Sequence, residues 1–439
     1  MALLYTPKKV EKKHRTFTAQ VQDLDYQGLG VAKTQGKTWF IENALPGEQI
    51  QVQVLEEKRQ YGKAIVKEWL KTSPKRENPA CIYYAKCGGC QTQHIPLDMQ
   101  RDTKERALFQ RLSKLQAEPI ALMPRIVGEQ WHYRRRLRLS IHWDKKKGLL
   151  IGFRQKNSQL IEPVQSCLVI EKPLNDLLPK ITALLQNWSN PKNLGHIELV
   201  RASNGIALLL RYQKNLAEKD RTLLCHFAKQ ENLMLFVQDD ERIYQLYGES
   251  PYYDLKNGLR LHFDIRDFIQ INPRLNQAMI DTALDWLKLN AQDQVLDLFC
   301  GMGNFTLPIS RQAKQVVGVE GVAEMVQKAT QNAERNGCKN VQFYQGDLAQ
   351  SFAEQQWASQ AFSKILLDPP RTGAAFAMPF LCQLQAEKVL YVSCNPATLV
   401  RDAQMLLQAG YQLTQVAMID MFPNTGHLES ICLFTKVKK

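Results

Sequence analysis

The chain has 439 residues, 44% of them hydrophobic and 23% charged, an ordinary globular composition too long for one core, so two or three domains are expected. No apolar run reaches the ~18 residues that span a bilayer, and the opening MALLYTPKKVEKKHR has neither an apolar signal core nor a small-residue cleavage site, which sets aside membrane and exported classes and leaves a cytoplasmic protein. The net charge is +14, yet residues 266–439 hold 15 Lys/Arg against 15 Asp/Glu, so the whole basic excess lies in the first 265 residues, as in a half that grips a polyanion.

After a basic tail (Lys8, Lys9, Lys12, Lys13, Arg15), residues 16–68 alternate apolar and polar side chains in short stretches punctuated by Gly28, Gly30, Gly36, Pro46-Gly47 and Gly62. This pattern predicts a small antiparallel, OB-like barrel, an architecture that often carries oligonucleotides. Residues 72–96 are rich in Pro and Cys and fit no regular element, so something must staple them. Cys81, Cys87 and Cys90 stand in a C-x5-C-x2-C arrangement with Gly88-Gly89 in the tight loop, and Cys167 is available as a fourth ligand. Ten cysteines without an export signal point to thiol, metal or cluster chemistry before disulfides. Four thiolates hold either zinc or an iron–sulfur cluster, and spacing alone leaves both open.

Leu97, Leu108, Phe109, Leu112 and Leu115 recur at helical spacing and predict an amphipathic helix over 97–116, with its docking partner unassigned. Tyr133-Arg134-Arg135-Arg136-Leu137-Arg138-Leu139 reads as a basic strand, suited equally to a solvated face or to RNA. Residues 150–265 are mixed α/β without readable chemistry. From 266 onward, apolar strands alternate with helices (VLDLFCG, VVGVE, VQFYQGD, KILLDPP, VLYVSCNP), which predicts a doubly wound parallel sheet. The domains are therefore drawn at 1–70, 71–265 and 266–439.

In such sheets ligands bind beyond the strand carboxyl ends. Asp297-Leu298-Phe299-Cys300-Gly301-Met302-Gly303-Asn304 supplies a Gly-rich turn there, but Thr306 stands where a dinucleotide fingerprint needs its third glycine. Glu320, ending the second strand, is placed for ribose hydroxyls, and Asp347, ending the third, for an adenine amino group. Asp368-Pro369-Pro370-Arg371 holds a carboxylate at the same rim. The fifth strand delivers Cys394 in Val392-Ser393-Cys394-Asn395-Pro396. C5 of uracil is too weak a nucleophile to attack a methyl sulfonium unaided; a thiolate added at C6 turns it into an enolate equivalent that can, and a base must later remove the C5 proton. Glu429 is the candidate base, and an aromatic such as Phe268 would contact a flipped base. His427 reads as a packing or hydrogen-bonding group, and Cys225, Cys300, Cys338, Cys382 and Cys432 as core or surface thiols.

The D-x-F-C-G-x-G-x-F pattern resembles S-adenosylmethionine-dependent methyltransferases, and SCNP, DPPR and the segment ending at Glu429 resemble the RNA uracil-C5 methyltransferases in particular. The resemblance covers nearly the whole chain. It implies a Rossmann-like catalytic domain binding S-adenosyl-L-methionine through Gln270, Phe299, Asn304, Glu320, Asp347 and Asp368. It also implies Cys394 as nucleophile, Glu429 as base, an N-terminal barrel like the TRAM module, and a [4Fe-4S] cluster on Cys81, Cys87, Cys90 and Cys167. Asp347 departs from the family, which often has Asn there. Barrel and cluster together are similar to the branch that acts on 23S rRNA at uridine 1939, on protein-poor RNA or an early assembly intermediate, as a monomer. The same chemistry on tRNA, a cytosine-C5 enzyme, and a nonenzymatic RNA-binding protein with this fold are the alternatives. Cytosine-C5 enzymes generally carry a Pro-Cys setting that is absent here.

Overall fold

The computed structural model of the chain describes residues 15–34, 36–214, 216–240, 242–348 and 355–437. The basic tail at Lys8, Lys9, Lys12 and Lys13 lies outside them.

Six strands between Thr16–Gln20 and Tyr61–Lys71 form the first sheet. Their inward positions alternate along each strand and meet in a core of Trp39, Ile41, Ile50, Val52 and Ala64. The pairing is antiparallel except where Lys37–Glu42 runs parallel to Tyr61–Lys71, so the expected all-antiparallel barrel is a mixed one. Gly62 is required there, since a Cβ on it would lie 2.3 Å from the Trp39 ring.

A seven-stranded mixed sheet follows, running from Arg136–Asp144 to Ile243–Tyr247, with helices Lys172–Gln186 and Glu218–Gln230. One face packs on those helices; the other, through Val200, Ala207, Leu209 and Phe236, shares a continuous apolar core with Leu275, Met279, Val295 and Leu433 of the third layer. Of the four arginines in 134–138, Arg135 is 4% exposed, Arg136 is tied to Glu198 at 2.8 Å, and half-buried Arg134 donates to the Arg136 carbonyl at 2.8 Å, so Arg138 is the exposed one. The basic run is largely structural.

The third sheet has eight strands, with four parallel pairings among Gln294–Leu298, Gln315–Glu320, Val341–Gln345, Lys364–Leu367 and Lys388–Ser393. The last strand, Glu429–Lys436, inserts antiparallel between Lys388–Ser393 and Tyr411–Ile419. Helices Pro273–Leu287 and Pro396–Gln408 each start with Asn at the cap, accepting a backbone N–H at 3.2 and 3.0 Å, and Pro just inside.

The helix Leu97–Leu112 docks on this sheet and not on the central one. Leu108 and Leu112 join the core of Val416, Met418 and Phe434, and Ala121–Leu122 adds an edge strand beside Tyr411–Ile419. The stretch 97–122 thus belongs structurally with the third layer, across the boundary drawn at 265. Among the described residues no helix is long and apolar enough to cross a membrane.

Candidate active site

Parallel strands bring their carboxyl ends to one rim, and the sequence places an acid or a thiol at each. Phe299 follows the first strand with φ 64°, a left-handed turn costly for a bulky residue and held by its N–H donating to Val319 O at 2.9 Å. This turn swings Gly301 toward the second strand, where Glu320 Oε2 accepts its N–H at 3.1 Å while Oε1 accepts that of Val322 at 3.1 Å. The Glu320 carboxylate is fixed by its own loop before any ligand arrives. Asp347 follows the third strand and is exposed.

Asn304 sits in the turn, but its amide is spoken for. It exchanges two hydrogen bonds with Asn276 at 2.9 and 3.0 Å and accepts from the Tyr253 hydroxyl at 3.1 Å. Its part is to lock the turn onto helix Pro273–Leu287. Gln270 precedes that helix, its carbonyl accepting from Arg135 Nε at 2.7 Å, and exposed Phe268 stands two residues before it.

Asp297 lies beneath the rim, 1% exposed, with Oδ2 accepting from Thr306 at 2.5 Å and Oδ1 without a partner. Burial, and then the charges of Asp368 and Glu320, raise it to about 7. A raised carboxyl pKa means that the folded chain holds a proton the unfolded chain has released. Stability should therefore fall as pH rises from about 4 to about 7, by a few kcal/mol, with Asp297→Asn flattening that slope in thermal melts taken across the range.

Asp368 ends the fourth strand and burial raises it to about 7. Cys394 ends the fifth, half-buried, immediately before the Asn395 cap, so its sulfur lies at a helix N-terminus that favours the thiolate. Burial, with Glu429 and Asp368 nearby, nevertheless raises the thiol to about 11, and Arg371 opposes the rise. Because the last strand is antiparallel, its first residue meets the end of the fifth: Ser393 pairs with Ser430, which puts Glu429 beside Cys394. Burial and the Asp368 charge raise Glu429 to about 8, against Arg371 and Lys104.

One rim thus combines a set of carboxyl groups at the strand ends, a thiol and a proton-holding carboxyl across a strand pair. A family profile described as tRNA (Uracil-5-)-methyltransferase matches residues 97–437, and a TRAM domain profile matches residues 11–67. The chain belongs to the tRNA (uracil-5-)-methyltransferase family. Relatives in this family include the 23S rRNA (uracil(1939)-C(5))-methyltransferase RlmD of Haemophilus influenzae, 64% identical over 99% of this chain and 100% of its own. The enzyme of the same name from Histophilus somni is 65% identical with the same coverage. Among solved structures, the Pyrococcus abyssi tRNA (uracil-54, C5)-methyltransferase in complex with S-adenosyl-L-homocysteine superposes with TM-score 0.73 at 20% identity, covering 95% of this chain and all of its own, which shows a shared fold.

The uracil-5-methyltransferase site contains groups that sequence patterns did not mark. Lys104, 2% exposed, donates to Asp420 Oδ1 at 2.9 Å, and Arg101 donates to Oδ2 at 2.9 Å, pinning the segment that leads to Glu429. Asn424, φ 64°, is buried in that segment; its carbonyl accepts the N–H groups of Gln91 and Thr92 at 2.9 and 3.2 Å, and its own N–H donates to Gln100. The cysteine loop is therefore hydrogen-bonded to the loop carrying the candidate base.

Cys81, Cys87, Cys90 and Cys167 are free and half-buried. Among the described residues no three His, Cys, Asp or Glu side chains are grouped to hold one metal ion. The four sulfurs still act on each other, since Cys90 is pushed up by burial and then by the other three. The Gly89 N–H donates to Cys87 Sγ at 3.4 Å, and the N–H groups of Val169 and Ile170 are directed at Cys167. Tyr84 staples the loop, donating to Gln91 O at 2.6 Å.

Proposed function

We propose that this chain methylates C5 of uridine 1939 in 23S rRNA, using S-adenosyl-L-methionine and a covalent adduct between Cys394 and C6 of the base. The observation that carries the chemistry is the antiparallel pairing of Ser393 with Ser430, which sets a thiol beside a carboxyl that holds its proton to about pH 8. The target base rests on relatives at 64 and 65% identity over the full chain that carry this activity in their names.

Bound S-adenosylmethionine supplies an electrophilic methyl group. Glu320, Asp347 and Asp368 would receive its polar parts at the strand ends, with Gln270 and Phe299 flanking and Asn304 bracing the turn. The Cys394 thiolate adds to C6, raising electron density at C5. After transfer, Glu429 takes the C5 proton, the C6–S bond breaks and the thiol is released. Exposed Phe268 is suited to contact a uridine turned out of its stack. Mapping 5-methyluridine in 23S rRNA from cells lacking this gene, with and without a plasmid copy, tests the assignment; retained methylation at 1939 without the gene would refute it.

The division of labour follows the modules at 1–70, 71–265 and 266–439, with barrel and central sheet gripping RNA. The enzyme works as a cytoplasmic monomer on protein-poor rRNA or an early assembly intermediate. Cys81, Cys87, Cys90 and Cys167 would hold a [4Fe-4S] cluster. The donor set fits: four free thiols that act on one another, with N–H groups directed at sulfur. Anaerobically purified protein should be brown with about four irons per chain, and chelation should unfold the loop around Tyr84; one zinc in a colourless protein would refute the cluster.

A further inference from the structure

Arg371 bridges the two halves of the reacting pair. Its carbonyl accepts from Asn395 Nδ2 at 3.0 Å and from Thr398 Oγ1 at 3.4 Å, fastening its turn to the residue after Cys394. Its guanidinium reaches the other way and donates to Nδ1 of His427 at 3.0 Å, in the segment that ends at Glu429. A cation donating to Nδ1 selects the neutral imidazole with its proton on Nε2. Partial burial of its ring, then Arg371, Lys104 and Arg134, lower His427 and disfavour its protonated form. His427 packs edge-on against Phe422 with ring centroids 5.2 Å apart, which holds the ring while part of it stays open to solvent.

The chemistry calls for such groups. As the sulfur–C6 bond forms, the C5=C6 pair moves into the C4–C5 bond and the carbonyl pair moves onto O4, so negative charge appears first on sulfur and then on O4. The groups facing the thiol are the acids Glu429 and Asp368, which oppose both anions, and Arg371, the cation among them. Arg371 acts on Cys394 and Glu429 alike.

We propose that Arg371 and His427 form a cation–donor pair for the adduct: Arg371 holds the Cys394 sulfur as a thiolate, and His427 Nε2–H donates to uracil O4 as it becomes an oxyanion. The proposal rests on Cys394 being the nucleophile.

Iodoacetamide alkylation of Cys394, followed by mass spectrometry against pH on the full-length holoprotein, reads the thiol without turnover. Arg371→Ala should move the midpoint up by about one unit or more, and Arg371→Lys should restore most of it. His427→Ala should cut the single-turnover rate about 10²- to 10³-fold while RNA and S-adenosylhomocysteine affinities stay within about twofold, with His427→Gln recovering part. S-adenosylhomocysteine titration shows which variants are folded, and Arg371→Gln, which also removes the charge and should raise the midpoint likewise, carries the test if Arg371→Ala is not. An unmoved midpoint in a folded Arg371→Ala or Arg371→Gln protein, or a His427→Ala defect accounted for by lost RNA affinity, overturns the pair. A Cys394→Ser protein that still transfers methyl groups would instead overturn the nucleophile itself.

Discussion

Cys394→Ala protein is expected to bind RNA and S-adenosylmethionine as the wild type does and to form no 5-methyluridine, a loss on the order of 10⁶-fold, as for other removed nucleophiles. The side chain is half-buried at the end of a strand whose other contacts are untouched, so the change should cost at most about 1 kcal/mol of stability. Without the sulfur, C5 stays an ordinary vinyl carbon, and positioning against the methyl donor cannot replace the missing electron density. Methyl transfer from tritiated donor to RNA, read beside a filter-binding curve, checks both halves. Turnover above background would sink the covalent route, and lost RNA binding would mean that the residue also holds the fold.

Glu429→Gln should separate the chemistry after the methyl has moved. The amide keeps the shape and the strand register but cannot take the C5 proton, so the methylated adduct should persist as a protein–RNA band that survives denaturation. Release should slow by about 10²- to 10⁴-fold. Wild-type release should show the same dependence through pH: with Glu429 raised to about 8, the basic form fills only as pH climbs through that value, and release should slow as pH falls below it. Absence of the denaturation-resistant band on gels would mean that another group is the base.

What could be read in advance was whatever a short stretch of chain determines alone. The turn after Asp297 needs glycines at 301 and 303, and Cys394-Asn395-Pro396 is a strand end followed by a helix cap, so both placed themselves locally. The pairing of Ser393 with Ser430 depends on an antiparallel strand inserted from the end of the chain, which no local pattern encodes; Glu429 is legible as a candidate base, but its place beside Cys394 is a tertiary result. Lys104 and Gln100 were illegible for a different reason. A lysine and a glutamine on an amphipathic helix ordinarily face water, and these are buried because Asp420 and Asn424, more than 300 positions away, meet them there. Arg135 was hidden likewise inside a basic run. Asn304 was legible as part of the turn, but its partnership with Asn276, which braces that turn, was not.

The apolar core running without a break from Val200 and Phe236 of the central sheet to Met279 and Leu433 of the catalytic one also governs how the molecule comes apart. Layers that share side chains in one core cannot lose their packing separately, so the central sheet and the catalytic sheet should melt as one cooperative unit. The barrel has a core of its own around Trp39 and joins the rest through a small cluster in which Leu24 and Leu45 meet Ile95 and Met99. The spacing between the central sheet and the rim that carries Cys394 is therefore set by shared side-chain packing.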